Sequence, residues 1–225
     1  MDKTAIRNAA TVVLLRDMTG SPKVLMGQRG KSAAFMPNKF VFPGGALDPV
    51  DAHIRLSGGL GEACMARLAE KSEDIAEALI LAAIREVWEE TGLLLGRSDP
   101  GALSMVDTVP EDWKSFFAHG VLPSGDGMRF VFRAVTPPGR ARRFDARFFA
   151  VDADRVHGDL DDFAQASDEL SHLQWIPLDK ARSFDLPFIT EVVLAEIEAD
   201  IADPDRNARV PFFFNEDGRS HFLRL

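Results

Sequence analysis

Glu86, Glu89 and Glu90 fall within one short stretch, Arg85-Glu86-Val87-Trp88-Glu89-Glu90-Thr91-Gly92-Leu93, and their spacing is that of one helix face. At about 100° per residue the three carboxylates lie within about 100° of one another. Ile80, Ile84, Val87 and Trp88 gather on the other side as an apolar stripe suited to a core. Like charges three and four residues apart repel by a few tenths of a kcal/mol per pair on an exposed helix, so a positive partner is expected. Arg85, one turn from Glu89, could supply it and leave a merely solvated acidic face. The sharper alternative is a hard divalent cation with oxygen ligands, Mg²⁺ above all.

A second segment favours the cation. Phe42-Pro43-Gly44-Gly45 follows Phe35-Met36-Pro37-Asn38-Lys39-Phe40-Val41. Two successive glycines allow a close backbone approach or a turn that other residues resist. A carbonyl there could complete an oxygen shell around an ion held by the acidic helix. Alone, Pro-Gly-Gly is a plain turn between strand and helix.

The nine residues from Arg85 to Leu93 resemble the second half of the Nudix box with every fixed position filled, and Glu77 stands where the box has its earlier glutamate, eight residues before Arg85. The box places a glycine six residues before that glutamate, where this chain has Lys71. Gly45 is farther from Glu77 by about 26 residues than the compact pattern allows, which indicates an insertion over about residues 52–76. Such an insertion, Phe35-Met36-Pro37 ahead of Val41-Phe42-Pro43-Gly44-Gly45, and Arg143-Phe144-Asp145-Ala146-Arg147-Phe148-Phe149 are similar to the branch that includes peroxisomal coenzyme A diphosphatases and bacterial relatives. The resemblance spans about residues 9–200. It implies an α/β fold, an α/β/α sandwich with a mixed sheet, and a helical insertion between the Gly-Gly turn and the acidic helix. It also implies Mg²⁺- or Mn²⁺-dependent hydrolysis of a diphosphate bond in a nucleoside diphosphate derivative, with coenzyme A or its esters among the substrates.

The same resemblance assigns roles. Glu86, Glu89, Glu90 and the Gly44 carbonyl become metal ligands, Arg85 holds the carboxylates, and Glu86 doubles as base. Glu169, six residues before Trp175, resembles a loop acid that supplies a further ligand or base; its bland alternative is an exposed acid beside a buried Trp. Arg143, Asp145 and Arg147 alternate with Phe144, Ala146 and Phe148, so a strand puts the charges on one face. Their guanidinium forks could grip phosphate oxygens, or the strand could be an edge with its own ion pairs. Arg29 and Gly45 complete the substrate-binding candidates, the loop from Arg29 to Phe40 lying beside the site. Phe35 and Phe40 read as core before base-stacking residues.

The elements that must position these groups alternate along the chain. Residues 9–15 and 24–26 read as a hairpin across the turn from Met18 to Lys23, and 129–135, 144–151 and 173–176 as further strands. A short helix is expected near Glu62 to Glu70 and another from Pro187 to Ile201. Ser72, followed by Glu73 and Asp74, reads as the start of the acidic helix and Gly92 as its stop. An unbroken helix from Ser72 would turn Glu77 toward the apolar side, where burial requires a partner such as Arg85; a later start is the alternative.

With 225 residues, 46% hydrophobic and 27% charged, the chain reads as one globular domain over 1–225. A net charge of −9 argues against nucleic acid or an anionic membrane as partner. The single cysteine, Cys64, excludes an intrachain disulfide and points to a reducing, cytoplasmic setting. No signal-peptide pattern and no apolar run of membrane-spanning length is present. Five histidines lack metal-like spacing. A catalytically weak or silent ligand sensor on the same fold is the alternative function, but it would be expected to lose box carboxylates. A calcium-binding structural protein lacks its loop spacing. Related enzymes are often homodimers, a state of which the sequence itself gives no direct sign.

Overall fold

The computed structural model describes residues 5–31, 33, 36–203 and 209–225. The chain runs β1 (Ile6–Arg16), β2 (Lys23–Arg29), β3 (Phe40–Val41), β4 (Gly44–Ala46), α1 (Glu62–Ala69), α2 (Ala76–Thr91), β5 (Leu94–Ser98), α3 (Glu111–Phe117) and β6 (Val121–Pro123). It continues through β7 (Arg129–Val135), β8 (Arg143–Asp152), β9 (Val156–His157), β10 (Leu170–Pro177), α4 (Leu178–Ala181), α5 (Phe188–Ala202), β11 (Pro211–Glu216) and β12 (Arg219–Arg224).

Among the described residues one large sheet has the order β10-β2-β1-β8-β7-β11-β12, with β3 beside β2 and β4 beside β1. It is mixed, because β1 runs parallel to β8 and β7 parallel to β11. Period-2 alternation gives each central strand two buried faces. Val12 and Leu14 of β1 and Phe149 and Val151 of β8 pack with α2 and its neighbours in one core. Val13, Leu15, Phe148 and Ala150 pack with Val193, Leu194 and Ile197 of α5 in a second core. Helices therefore cover both faces, and β6-β5-β9 forms a small accessory sheet.

Two elements depart from expectation. The acidic helix begins at Ala76, not Ser72, and its N-terminus has no side-chain cap. Ser72 lies four residues before it, its hydroxyl accepting from Arg147 Nη2 at 2.9 Å across the fold. Glu77 stands exposed in the first turn of α2 and is not buried against Arg85. The helix stops at Gly92, whose φ of 75° suits the left-handed closing position. The C-terminal hairpin β11–β12, absent from the strand reading, turns at Asp217-Gly218, both with positive φ. That dipeptide between Phe212 and Phe222 was the available signal.

Candidate active site

The diglycine bend and the acidic helix meet through β1. Thr11 stands opposite Gly44, Ala10 opposite Gly45 and Ala9 opposite Ala46, which lays β4 between β1 and α2. The approach is too close for any side chain. A Cβ on Gly44 would stand 2.5 Å from the Ala10 carbonyl oxygen and 2.6 Å from Thr11 Cα. A Cβ on Gly45 would stand 2.3 Å from Glu86 Oε1. The Gly44 N–H donates to Glu90 Oε2 at 2.7 Å.

Arg85 organises the helix side. Its Nη1 donates to Glu86 Oε1 and to Glu89 Oε2, each at 3.0 Å, and its Nη2 to the Ala46 carbonyl at 3.1 Å. The other edge of the guanidinium donates to Asp51, Nε to Oδ1 at 2.8 Å and Nη2 to Oδ2 at 3.1 Å. Asp51 is fully buried, and its oxygens also accept from Trp113 Nε1 at 3.3 Å and the Asp48 N–H at 2.9 Å. Each carboxylate oxygen thus has two donors, the condition under which a buried charge is tolerated.

The acids of α2 are under electrostatic pressure. Burial pushes the Glu86 carboxyl up to about 7; Arg85 pulls it back, and Glu89 and Glu169 add repulsion. Burial also raises Glu90 well above the carboxylate range, with Glu86 reinforcing the shift and the Gly44 N–H and Arg29 opposing it. Glu89 is raised by burial too, against the pull of Arg85. These directions are those of carboxylates gathered out of water with too little positive charge nearby. Among the described residues no three acids converge closely enough to form a ready-made metal cage. Arg85 holds two of the helix carboxylates and the Gly44 N–H holds the third.

Glu169 reaches the same place from another element. The Ser167 N–H donates to the Glu89 carbonyl at 2.8 Å, docking the loop before β10 on the end of α2. Leu170 then pairs with Arg29 at the start of β10. Glu169 is exposed and lines a cavity of about 890 Å³ with Arg29, Gly44, Gly45, Glu86 and Glu89. The Nε of Arg29 is buried and has no hydrogen-bond partner among the described residues.

A family model described as the NUDIX domain matches residues 5–196. The chain belongs to the Nudix family. A crystal structure of a NUDIX hydrolase from Alicyclobacillus acidocaldarius is 27% identical, with a TM-score of 0.62, over 90% of this chain and 94% of that one. A Caenorhabditis elegans protein named "Putative nudix hydrolase 7" is 27% identical over 177 residues, 76% of this chain. The chain spans about half the length of that relative, 51%. The solution structure of the E. coli ORF135 protein, 15% identical with a TM-score of 0.50 over 92% of this chain and 99% of that one, shares the fold. The mixed sheet between helices is the Nudix fold, and α2 is its box helix.

Three of the expected substrate contacts do not meet the cavity. Along β8 it is Phe144, Ala146 and Phe148 that line the Nudix cavity, so the alternating Arg143, Asp145 and Arg147 face elsewhere. Nor is β8 an edge, since it lies between β1 and β7. Asp145 accepts from Arg133 through Nε at 2.9 Å and Nη2 at 2.7 Å, and lies 3.2 Å from Arg147 Nη1. Arg133 also donates to the Glu70 and Lys71 carbonyls, and Arg147 to Asn8 Oδ1 at 2.7 Å. This buried network ties the segment after α1 to the sheet. Burial lowers Arg147 to about 10, Asp145 pulling it back up and Arg133 lowering it further. Arg143 donates Nε to the Thr136 carbonyl at 3.1 Å.

Phe40 packs edge-on against Phe184 in the second core and not into the cavity; Phe35 lies outside the described residues. Sequence reasoning missed Asp51, for which Asp48-Pro49-Val50-Asp51 offered only a turn-capping signal. It also missed Arg7, Arg140 and Arg142 on the cavity wall, of which the run Arg140-Ala141-Arg142-Arg143 was the visible trace.

Proposed function

We propose that this Nudix protein hydrolyses the diphosphate bond of a nucleoside diphosphate linked to a second moiety, with Glu86, Glu89 and Glu90 as ligands of Mg²⁺ or Mn²⁺ and the Gly44 carbonyl as a further oxygen donor. The observation that carries this reading is the withdrawal of Glu86 and Glu90 from water against Gly45 and Gly44, beside a cavity that Glu86, Glu89 and both glycines line. Oxygen donors suit these hard ions, and Arg85, already shared with Asp51, offsets only part of the local negative charge. Held there, the cation would supply neutralisation of phosphate oxygens and a more acidic bound water.

The chain's own groups do the rest. Arg85 keeps Glu86 and Glu89 on one side of the bend. Arg29, which lines the cavity with Glu86 and Glu169, would hold a phosphate oxygen. Glu169, in no ion pair with another described residue, accepts the proton of the attacking water, and Glu86 is the second candidate for that task. Phe144, Ala146 and Phe148 give the cavity an apolar wall for the organic part of the substrate. The motifs that resemble the coenzyme A diphosphatase branch are the ground for testing coenzyme A and its esters beside ADP-ribose and NADH.

Incubation of purified protein with that panel and Mg²⁺ or Mn²⁺, with products identified by mass, tests the reading. Cleavage between the two phosphorus atoms is expected, with a loss on the order of 100-fold or more in Glu89→Gln. Equal activity in parent and variant overturns the metal assignment. No cleavage of any compound, with ligand binding intact, leaves a Nudix sensor. Replacement Glu169→Gln is expected to lower kcat by about 10²-fold while Mn²⁺ affinity holds.

A further inference from the structure

Just after Glu169, β10 carries an irregularity. Pro177 to Gln174 pair with Lys23 to Met26 of β2 in unbroken antiparallel register, and Ser171 and Leu170 then pair with Gln28 and Arg29. The register slips by one residue between the two runs, so His172 and Leu173 together stand opposite Gly27. That is a β-bulge, one extra residue on one strand of a pair. His172 absorbs it with a φ of 54°, in the left-handed region that residues other than glycine seldom occupy. Gly27 leaves the bulge its space, since a Cβ there would stand 2.9 Å from Leu170 Cβ and 3.0 Å from Leu173 Cδ2.

The slip decides which way the side chains face. Residues directly opposite each other in an antiparallel pair share a face, and successive residues alternate. Leu25 and Trp175 are such a pair, and both pack in the core that contains α2. Arg29 lies on the face of Leu25, so its partner Leu170 shares the face of Trp175. In a regular strand the odd spacing between Leu170 and Trp175 would put them on opposite faces. With the bulge Leu170 is buried, and Glu169 just before it is exposed and lines the cavity with Glu86. Without the extra residue the two would exchange faces.

A residue held in a sparsely populated backbone region persists only where its surroundings over-determine it. The neighbouring chain is fixed on both sides of Glu169. Before it, the Ser167 N–H is bound to the Glu89 carbonyl. After it, Trp175 donates Nε1 to the Leu160 carbonyl at 2.9 Å, and Arg16 sits 4.9 Å over its ring while bonding Asp161 at 2.9 Å. We propose that the bulge at His172 and Leu173, seated against Gly27, is the device that turns Glu169 into the cavity. His172 acts through its backbone and not its ring, as a positioning residue, and Gly27 is its counterpart. The proposal rests on the reading of Glu169 as the group that takes the proton of the attacking water.

Deletion of His172 from the full chain removes the bulge and tests this. In a crystal structure of the deletion variant Glu169 is expected to leave the cavity and Leu170 to take the opposite face. On the compound that the parent cleaves, kcat should fall on the order of 10²-fold, as in Glu169→Gln, while KM and Mn²⁺ affinity hold. Adding Glu169→Gln to the deletion should cost nothing further. His172→Gly accepts left-handed backbone readily and should keep the parental kcat. The β-branched His172→Val resists that backbone, should lower kcat, and takes the place of the deletion in both readouts if the latter does not fold. Glu169 still lining the cavity in the deletion variant overturns the proposal. So does equal kcat in His172→Gly and His172→Val when Glu169→Gln is impaired. Parental kcat in Glu169→Gln overturns instead the reading of Glu169 as base, and the deletion structure still shows whether the bulge places it, so the two failures are distinguishable.

Discussion

Asp51 and Arg85, 34 residues apart, make a two-pronged ion pair at 2.8 and 3.1 Å inside the protein. This pair orients the guanidinium so that its free corner bridges Glu86 and Glu89. Asp51 thus acts as a positioning residue. The pair pulls the Arg85 guanidinium above its ordinary range although burial by itself would lower it.

Asp51→Asn leaves Arg85 buried without its charge partner. Removing one half of a buried pair costs about 3 kcal/mol or more. Denaturant unfolding is expected to show that loss, together with weaker binding of Mn²⁺ as Glu86 and Glu89 lose their fixed neighbour. A loss below about 1 kcal/mol would mean that the pair does not anchor the helix.

The two glycines of the bend should fail differently when enlarged. In Gly44→Ala the new methyl meets backbone, the Ala10 oxygen and Thr11 Cα, so β4 must part from β1 and stability falls. In Gly45→Ala the three nearest atoms all belong to the Glu86 carboxylate, a side-chain end that can swing away. That variant is expected to melt near the parent temperature and bind Mn²⁺ more weakly by about tenfold, in the range seen when groups that orient ligands are lost. Identical behaviour of the two variants by melting and by metal titration would count against this account.

Metal-free stability should fall as pH rises from 5 to 8. The Glu86 carboxyl is pushed up to about 7 and Glu90 is also raised, burial being the leading cause for each. For a carboxyl raised in the folded state, its stabilising contribution is complete below the unfolded value near 4.5. It disappears as pH climbs through the folded value. Protons and cations compete for the same oxygens, so the melting-temperature gain from Mg²⁺ should grow across that window. Thermal melts with and without Mg²⁺ measure both trends, and Glu86→Gln should flatten them. A metal effect independent of pH contradicts the burial of these acids.

Arg147→Met separates scaffold from substrate contact. Arg147 is buried behind the cavity wall and holds Asn8, Ser72 and Asp145. The replacement leaves Asp145 with Arg133 only, and a stability loss of about 2 kcal/mol is expected, with KM within about twofold of the parent on whichever substrate is cleaved. A large rise in KM without loss of stability would restore this side chain to the substrate site.

The sequence by itself determined the local chemistry. The Glu86, Glu89 and Glu90 spacing, the apolar stripe on the opposite side and the Gly92 stop follow from helix geometry, which depends on neighbours no more than a turn away. The alternating strands of the sheet centre were legible for the same reason, as was the need for small residues at positions 44 and 45. Only the tertiary structure decided what those elements meet. The Asp51–Arg85 pair spans an inserted segment whose length says nothing about closure. Ser72 stands outside α2 with its hydroxyl on an arginine 75 residues away, and Glu77, in the first turn of the helix, is exposed. The period-2 pattern of β8 fixed that Arg143, Asp145 and Arg147 share a face, but not which face borders the cavity. That choice belonged to the strands on either side and to the helices that cover them.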